Sequence, residues 1–173
     1  ELASHAADVV VVPDKLFAEL SALPSPAGIG FACAMPPKLL MQAVEPGVAS
    51  VVLDRIQDAG NVGSILRSAS AMGVRQVLAL SGTAALWSPK VLRAGMGAHF
   101  GLRLCEGLEP GAALTLSVPL VAASSHARQS LPEADLPQPC AWVFGHEGQG
   151  IGAELQARCA LTVRIPQPGG EES

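Results

Sequence analysis

Apolar residues recur along the chain with two spacings, one typical of buried strands and the other of amphipathic helices. Short aliphatic runs predict strands at residues 50–53, 76–80, 101–104, 119–123, 141–144 and 161–165. Helical spacing predicts helices at residues 61–72, 89–96, 111–116 and 152–159, with Gly73 and Gly97 closing the first two. Strands that alternate with helices favour an α/β fold, a parallel sheet with helices on both faces.

The first 46 residues show a weaker form of this pattern. Residues 9–12 and 28–34 predict strands, and residues 14–20 predict a short helix with Asp14 as its N-cap. Proline and glycine at residues 35–37 and 45–47 interrupt the chain. We therefore predict a partial N-terminal domain with its linker at 1–46 and a main domain at 47–173.

Composition narrows the possible classes of protein. Hydrophobic residues make up 49% of the chain and aromatic residues only 3%, so the core must be aliphatic. No apolar run approaches the ~20 residues of a membrane span, and no signal peptide is visible, which favours the cytoplasm. Four cysteines without a Cys-x-x-Cys pair indicate reduced thiols and no metal site. A net charge of −4 argues against a simple nucleic-acid coat, although a local basic cluster or a missing domain could still provide a basic surface.

Ligands of parallel sheets bind beyond the carboxyl ends of the strands, so the loops there are candidate sites. The first loop, residues 54–67, has a glycine-bearing turn and a helix that begins at Asn61. Free N–H groups at a helix start attract anions, and Gly60 and Gly63 allow a close backbone approach. The Arg67 guanidinium could reach the same anion. An ordinary capped helix with a solvated arginine is the competing interpretation.

The second loop, residues 144–152, carries four glycines around Glu147. It favours close contact with a ligand, with a glycine-rich connector as the alternative. A dinucleotide fingerprint is a weak match here, because the segment lies late in the chain and no acidic residue with a strand directly before it follows at about 20 residues. The third loop, residues 164–173, by itself indicates only a turn.

A fourth segment, residues 88–100, places Lys90 and Arg93 on one helix face, where they could meet phosphates or simply be solvated. His126 and His146 lie near loop ends and could touch a ligand, although the pattern favours a structural or merely exposed role for each.

Together these segments resemble the motifs of the SpoU (TrmH) branch of the SPOUT methyltransferases over residues 49–173. Asn61 to Arg67 match the family's Asn-x-Gly-Ser-x-x-Arg, and Gly145, Glu147 and Gly150 match Gly-x-Glu-x-x-Gly. Ile165-Pro166 and Ser173 match the start of the third motif, whose last two residues would follow Ser173. Residues 9–34 resemble the end of the small RNA-binding domain that precedes the catalytic domain in many members.

The resemblance implies a C-terminal trefoil knot without its last helix, and a homodimer that pairs through the knot region. It also implies binding of S-adenosyl-methionine, with no metal. The implied cofactor-binding residues are Ser124, Gly145, His146, Glu147, Gly148, Ile165 and Pro166. The implied catalytic residues are Asn61, Arg67, Glu147 and Ser173. RNA contacts are expected from Arg55, Lys90 and Arg93.

The implied activity is methyl transfer from S-adenosyl-methionine to a ribose 2′-hydroxyl of RNA, with ribosomal RNA favoured over transfer RNA. A guanidinium is practically always protonated, so Arg67 is expected to hold a phosphate and stabilise alkoxide charge rather than act as a base. Two alternatives are a catalytically silent RNA-binding relative and a nicotinamide-dependent oxidoreductase built on residues 145–152.

Overall fold

The computed structural model describes residues 2–21, 23–35 and 42–167. The predicted catalytic residue Ser173 and most of the third loop lie outside these ranges. Contacts between Cα atoms divide the chain between Ala34 and Met35 into two units.

The N-terminal unit contains helix α1 at Asp14–Leu20, as predicted, and a 3-10 turn at Leu2–His5. Pro13 rather than Asp14 occupies the N-cap, and no side chain caps this helix. The two predicted strands, 9–12 and 28–34, are wrong: within the described part of this unit neither segment pairs with another. Val9, Val10 and Val11 are exposed, because β-branched residues form a strand only where a second strand bonds their backbone.

The larger unit is built on a parallel sheet. Its seven strands among residues 42–167 are β1 (Ser50–Asp54), β2 (Gln76–Leu80), β3 (Arg103–Leu108), β4 (Leu120–Ala123), β5 (Gln129–Ser130), β6 (Ala141–Gly145) and β7 (Leu161–Arg164). Their order across the sheet is β3-β2-β1-β6-β4-β7-β5, and every neighbouring pair is parallel. The predicted α/β class is confirmed.

Helices α2 (Ala59–Ala71), α3 (Pro89–Gly95) and α4 (Ala153–Ala157) connect these strands. The remaining connections include 3-10 turns at Ala98–Gly101, Pro110–Thr115 and Leu131–Glu133. The strand predicted at 101–104 begins later, at Arg103, because the 3-10 turn occupies the residues before it. The helix predicted at 111–116 is also a 3-10 turn.

Alternate residues of each central strand enter different cores, as the pleat of a strand requires. Val51 and Leu53 belong to one core with Val62 and Leu66 of α2. Val52 faces the other core, which α4 and the turn at Pro110–Thr115 cover. Both faces of the sheet are therefore buried at its centre, which explains why β1 and β2 are mainly apolar.

Residues 42–46, which the sequence prediction placed with the N-terminal piece, are hydrogen-bonded to the sheet. The amide N of Glu45 donates to Gln76 Oε1 at 2.7 Å, and Gln76 Nε2 donates to the Glu45 carbonyl at 3.0 Å. Leu104 N donates to Gln42 Oε1 at 2.9 Å. This segment belongs structurally to the larger unit, which begins at Met35.

None of the helices in the described ranges combines the length and the apolar character that crossing a membrane would require.

Candidate active site

The site lies at one edge of the sheet, where the carboxyl ends of β1, β6, β4 and β7 are neighbours. Asp54, the last residue of β1, pairs with Gly145, the last residue of β6. Ala123 at the end of β4 pairs with Val163 of β7. The loops after these strands therefore emerge side by side, as parallel pairing demands.

Glu147 joins the glycine-rich loop to the start of α2. Its Oε1 accepts a hydrogen bond from Asn61 Nδ2 at 3.2 Å and one from the Asp58 amide at 3.3 Å. Its Oε2 accepts from the Gln57 amide at 3.4 Å. The structure thus brings together Asn61 and Glu147, two predicted catalytic residues from distant parts of the chain.

The pKa of Glu147 is lowered below its ordinary value. The largest cause is a hydrogen bond from its own backbone amide, followed by the bonds from Asn61, Asp58 and Gln57, and partial burial opposes them. The carboxylate is therefore charged at neutral pH, and its hydrogen bonds attach the glycine-rich loop to the start of α2. A carboxylate with this set of donors is better suited to orienting Asn61 than to accepting a proton from a substrate.

The glycine-rich loop folds back tightly on itself. A Cβ on Gly145 would lie 2.3 Å from the carbonyl carbon of Gly150 and from the amide nitrogen of Ile151, so no other residue fits there. His146 Nδ1 accepts hydrogen bonds from the amides of Gly148 and Gln149 at 3.0 and 3.2 Å. His146 was predicted to contact a ligand, and in the structure its ring stabilises the conformation of the loop through these two hydrogen bonds.

Arg55, a predicted RNA contact, is bonded within the protein. Its guanidinium pairs with Asp54 and also donates to Gln149 and Gly150 of the glycine-rich loop. Asp54 and Gln149 were not singled out from the sequence, because an aspartate ending a strand and a glutamine between glycines carry no distinctive pattern.

The predicted basic residues of α2 and α3 are exposed. Arg67 makes no side-chain hydrogen bond or ion pair with any residue in the described ranges, and its position six residues after Asn61 places it about 9 Å farther along the helix axis. Lys90 and Arg93 are exposed on α3. The structure does not bring Arg67 into contact with Glu147.

Gly63 serves helix packing rather than an anion. A Cβ there would lie 2.3 Å from the Ala94 Cβ and 2.8 Å from the amide of Gly95, because α3 crosses α2 at this point. The expected close approach at Gly63 is real, but the neighbour is another helix.

The predicted cofactor residues on the other side of the site follow β4 and β7. The amide of Ser124 donates to the Val163 carbonyl at 2.9 Å, and the Ser124 hydroxyl accepts from the His126 amide at 3.3 Å. Ile165 is 63% exposed, although it is large and apolar, and Pro166 beside it is exposed too. Backbone polar groups next to exposed apolar side chains suit a ligand that has both polar and apolar parts.

A cavity of about 300 Å³ lies at the carboxyl ends of β2 and β3, lined by residues 79–85, Glu106 and Gly107. Among residues 2–21, 23–35 and 42–167, no group of three or more His, Cys, Asp or Glu side chains is arranged to hold a metal ion.

Comparisons with known proteins identify the family to which the chain belongs. A family model described as the SpoU rRNA Methylase family matches residues 49–173. A tRNA/rRNA methyltransferase of Synechocystis, itself uncharacterised, is 37% identical over 71% of this chain and 46% of its own length. The 23S rRNA (guanosine(2553)-2′-O)-methyltransferase of Bacillus subtilis is 29% identical over 94% of this chain and 65% of its own length.

Among solved structures, the SpoU methyltransferase AviRb from Streptomyces viridochromogenes, in complex with AdoMet, is similar with a TM-score of 0.68 and 28% identity. The similarity covers 75% of this chain and 55% of AviRb. The chain thus spans about half to two thirds of the length of these relatives.

Proposed function

Because the chain belongs to the SpoU rRNA Methylase family, we propose that it transfers a methyl group from S-adenosyl-methionine to a ribose 2′-hydroxyl of RNA. The Bacillus subtilis relative is named for 2′-O-methylation of 23S rRNA, and AviRb binds AdoMet, which supports both parts of the proposal. The observation that carries it is the hydrogen bond between Asn61 and Glu147, because it joins two family motifs at the ligand-binding edge of the sheet.

The ends of β4, β6 and β7 fit the cofactor. Backbone groups of Ser124, Gly145 and Ile165 would hold it, with His146, Gly148 and Pro166 lining the same space. The tight crossing at Gly145 leaves no room for a side chain, and exposed Ile165 offers an apolar surface for an adenine ring. S-adenosyl-methionine supplies an electrophilic methyl group on a sulfonium ion.

The residues of α2 would handle the ribose. Methyl transfer requires the 2′-oxygen, the methyl carbon and the sulfur to lie in line. Holding the ribose in a fixed position therefore accounts for much of the rate acceleration. Asn61, held by its hydrogen bond to Glu147, would orient that ribose. The exposed guanidinium of Arg67 is free to bind the adjacent phosphate and to stabilise negative charge that develops on the 2′-oxygen. Lys90 and Arg93 would extend the contact along the RNA backbone.

The resemblance to the family also supports proposals about the knot, the dimer and the N-terminal unit. We propose that the segment from Pro119 onward forms the family's trefoil knot, that two copies pair through the knot region, and that Ser173 supports the nucleotide. The N-terminal unit is proposed to bind RNA, and ribosomal RNA is the favoured substrate over transfer RNA.

The test is methyl transfer from radiolabelled S-adenosyl-methionine to purified ribosomal RNA and transfer RNA in separate reactions. We expect label in ribosomal RNA, in dinucleotides that resist alkali, because a 2′-O-methyl group blocks cleavage of the next phosphodiester. Label in alkali-sensitive nucleotides would mean base methylation and would contradict the proposal. RNA binding without any incorporation would favour a catalytically silent relative.

A cofactor titration addresses the remaining alternative. Binding of S-adenosyl-methionine, with none of NAD, is expected by calorimetry. Tight NAD binding without S-adenosyl-methionine binding would instead favour an oxidoreductase built on residues 145–152.

A further inference from the structure

Arg55 has an unusual backbone conformation directly after β1. Its φ is +61°, in the left-handed region that non-glycine residues occupy only where their surroundings hold them. The holding group is Thr83, whose Oγ1 accepts from the Arg55 amide at 3.1 Å and donates to the Leu53 carbonyl at 3.0 Å. The turn therefore fixes the direction in which the Arg55 side chain leaves the backbone.

The side chain of Arg55 points back towards the carboxylate of Asp54, the residue before it. Arg55 Nε donates to Asp54 Oδ1 at 2.9 Å, and Nη2 donates to Asp54 Oδ2 at 3.2 Å. The Asp54 side chain is only 6% exposed, so its charge requires a partner. The bonds and charge of Asp54 raise the pKa of Arg55, which stays protonated.

The pair also contacts three residues in the second half of the glycine-rich loop. Arg55 donates from Nη1 to Gln149 Oε1 at 3.0 Å and from Nη2 to the Gly150 carbonyl at 3.3 Å. Asp54 Oδ2 accepts from the Gly152 amide at 2.6 Å. Glu147 holds the first half of this loop, so the Asp54–Arg55 pair supplies the second attachment.

We propose that Asp54 and Arg55 form a positioning clamp, which holds residues 149–152 in the conformation that receives S-adenosyl-methionine, and that Arg55 is not an RNA contact. This rests on the proposed function. Gly150 has a φ of +67° and the loop is rich in glycine, so an unclamped loop would lose much entropy when a ligand orders it. Arg55 makes four donor contacts within the protein, out of the five N–H donors of a guanidinium, which leaves little for a phosphate.

The test compares Arg55→Asn and Arg55→Lys with the wild-type chain. Asparagine tolerates a positive φ, so the first variant removes the guanidinium without straining the turn. We expect its KM and Kd for S-adenosyl-methionine to rise about tenfold, with the KM for RNA changed less than about twofold. Arg55→Lys keeps the charge beside Asp54 but loses the forked geometry, so it should restore part of the affinity. Arg158→Ala, an exposed arginine after α4, is the matched control and should change neither constant.

Two further readouts separate the clamp from the other possible roles of Arg55. A phosphate contact would make Arg55→Asn reduce the slope of log K against log salt for ribosomal RNA by about 1, and that result would overturn the proposal. Hydrogen exchange of the Gly152 amide in the ligand-free chain should be faster in Arg55→Asn than in wild type. Unchanged exchange together with unchanged cofactor affinity would also overturn it. If the wild-type chain binds no S-adenosyl-methionine, the proposed function fails, and amide exchange alone then decides whether the clamp exists.

Discussion

The residues that the sequence motifs predict for the site fall into two groups in the structure. Some form hydrogen bonds that connect its loops, and others are exposed. The charged groups of Glu147 and Arg55 are hydrogen-bonded to other residues of the protein, whereas Arg67 has no side-chain partner in the described ranges. The sequence motifs predict which residues belong to this site. Their spacing does not distinguish the two roles, because the role depends on contacts between loops that are far apart in the chain.

Replacing Arg67 with alanine tests the outward-facing group. We expect Arg67→Ala to reduce the rate of methyl transfer at least about 100-fold, because it removes the cation that we propose stabilises charge on the 2′-oxygen. The Kd for S-adenosyl-methionine, measured by calorimetry, should change less than about twofold. A large loss of cofactor affinity would show that Arg67 faces the cofactor and not the RNA.

Glu147 predicts a specific dependence of stability on pH. Its lowered pKa means that its stabilising bonds are fully present above its ordinary value of 4.5 and are lost as pH falls through the lower folded-state value. The free energy of unfolding should therefore be greater in wild type than in Glu147→Gln at about pH 7, by about 0.5 kcal/mol because solvent screens an exposed carboxylate. The difference should shrink below about pH 4.5 in urea unfolding.

Asp135→Asn is the control for this experiment, since Asp135 is exposed and has no side-chain bond within the described ranges. Its difference from wild type should be close to zero near neutral pH. A wild-type advantage over Glu147→Gln that grows as pH falls would contradict the assignment.

At the scale of elements, the sequence predicted the sheet well where burial is complete. The bounds of β2 agree to the residue, because every position of Gln76–Leu80 is buried and the strand is one compact, mainly apolar run. β5 was missed, because two residues are too short to show any periodicity. The valines at 9–12 gave a false strand, because propensity alone cannot show whether a second strand is present to pair with.

The same limit applies to the site. Convergence of the first and second loops follows from parallel topology and could be predicted, whereas the left-handed turn at Arg55 could not, since no glycine marks it. Gly63 shows the reverse case. The glycine at this position correctly predicted a close approach of another chain segment, but only the structure identifies α3 as that segment.

Gly63→Ala tests this helix crossing. The added Cβ would overlap Ala94, so α2 and α3 must separate, and we expect a loss of about 1–3 kcal/mol in the free energy of unfolding. Gly111→Ala is the matched control: its Cβ would meet nothing within 4 Å, so the change should be neutral or slightly stabilising. Equal urea midpoints for the two variants would contradict the tight crossing.

At the scale of the whole molecule, four strand ends of the larger unit lie side by side, and two attachments between loops lie at the same edge of the sheet. Glu147 and the Asp54–Arg55 pair attach the glycine-rich loop to the end of β1 and the start of α2. The proposed cofactor side, at β4, β6 and β7, and the proposed RNA side, at α2 and α3, thus adjoin across this loop. A sheet covered on both faces leaves this edge as the place where backbone groups from several strands can meet one ligand.

The most direct test of this arrangement is a crystal structure of the chain with S-adenosyl-methionine bound. The account predicts electron density for the ligand across the ends of β4, β6 and β7, in contact with the backbone of Ser124, Gly145 and Ile165, with its methyl group directed towards Asn61. Density in the cavity at the ends of β2 and β3, beside Glu106, or at the opposite edge of the sheet would contradict it.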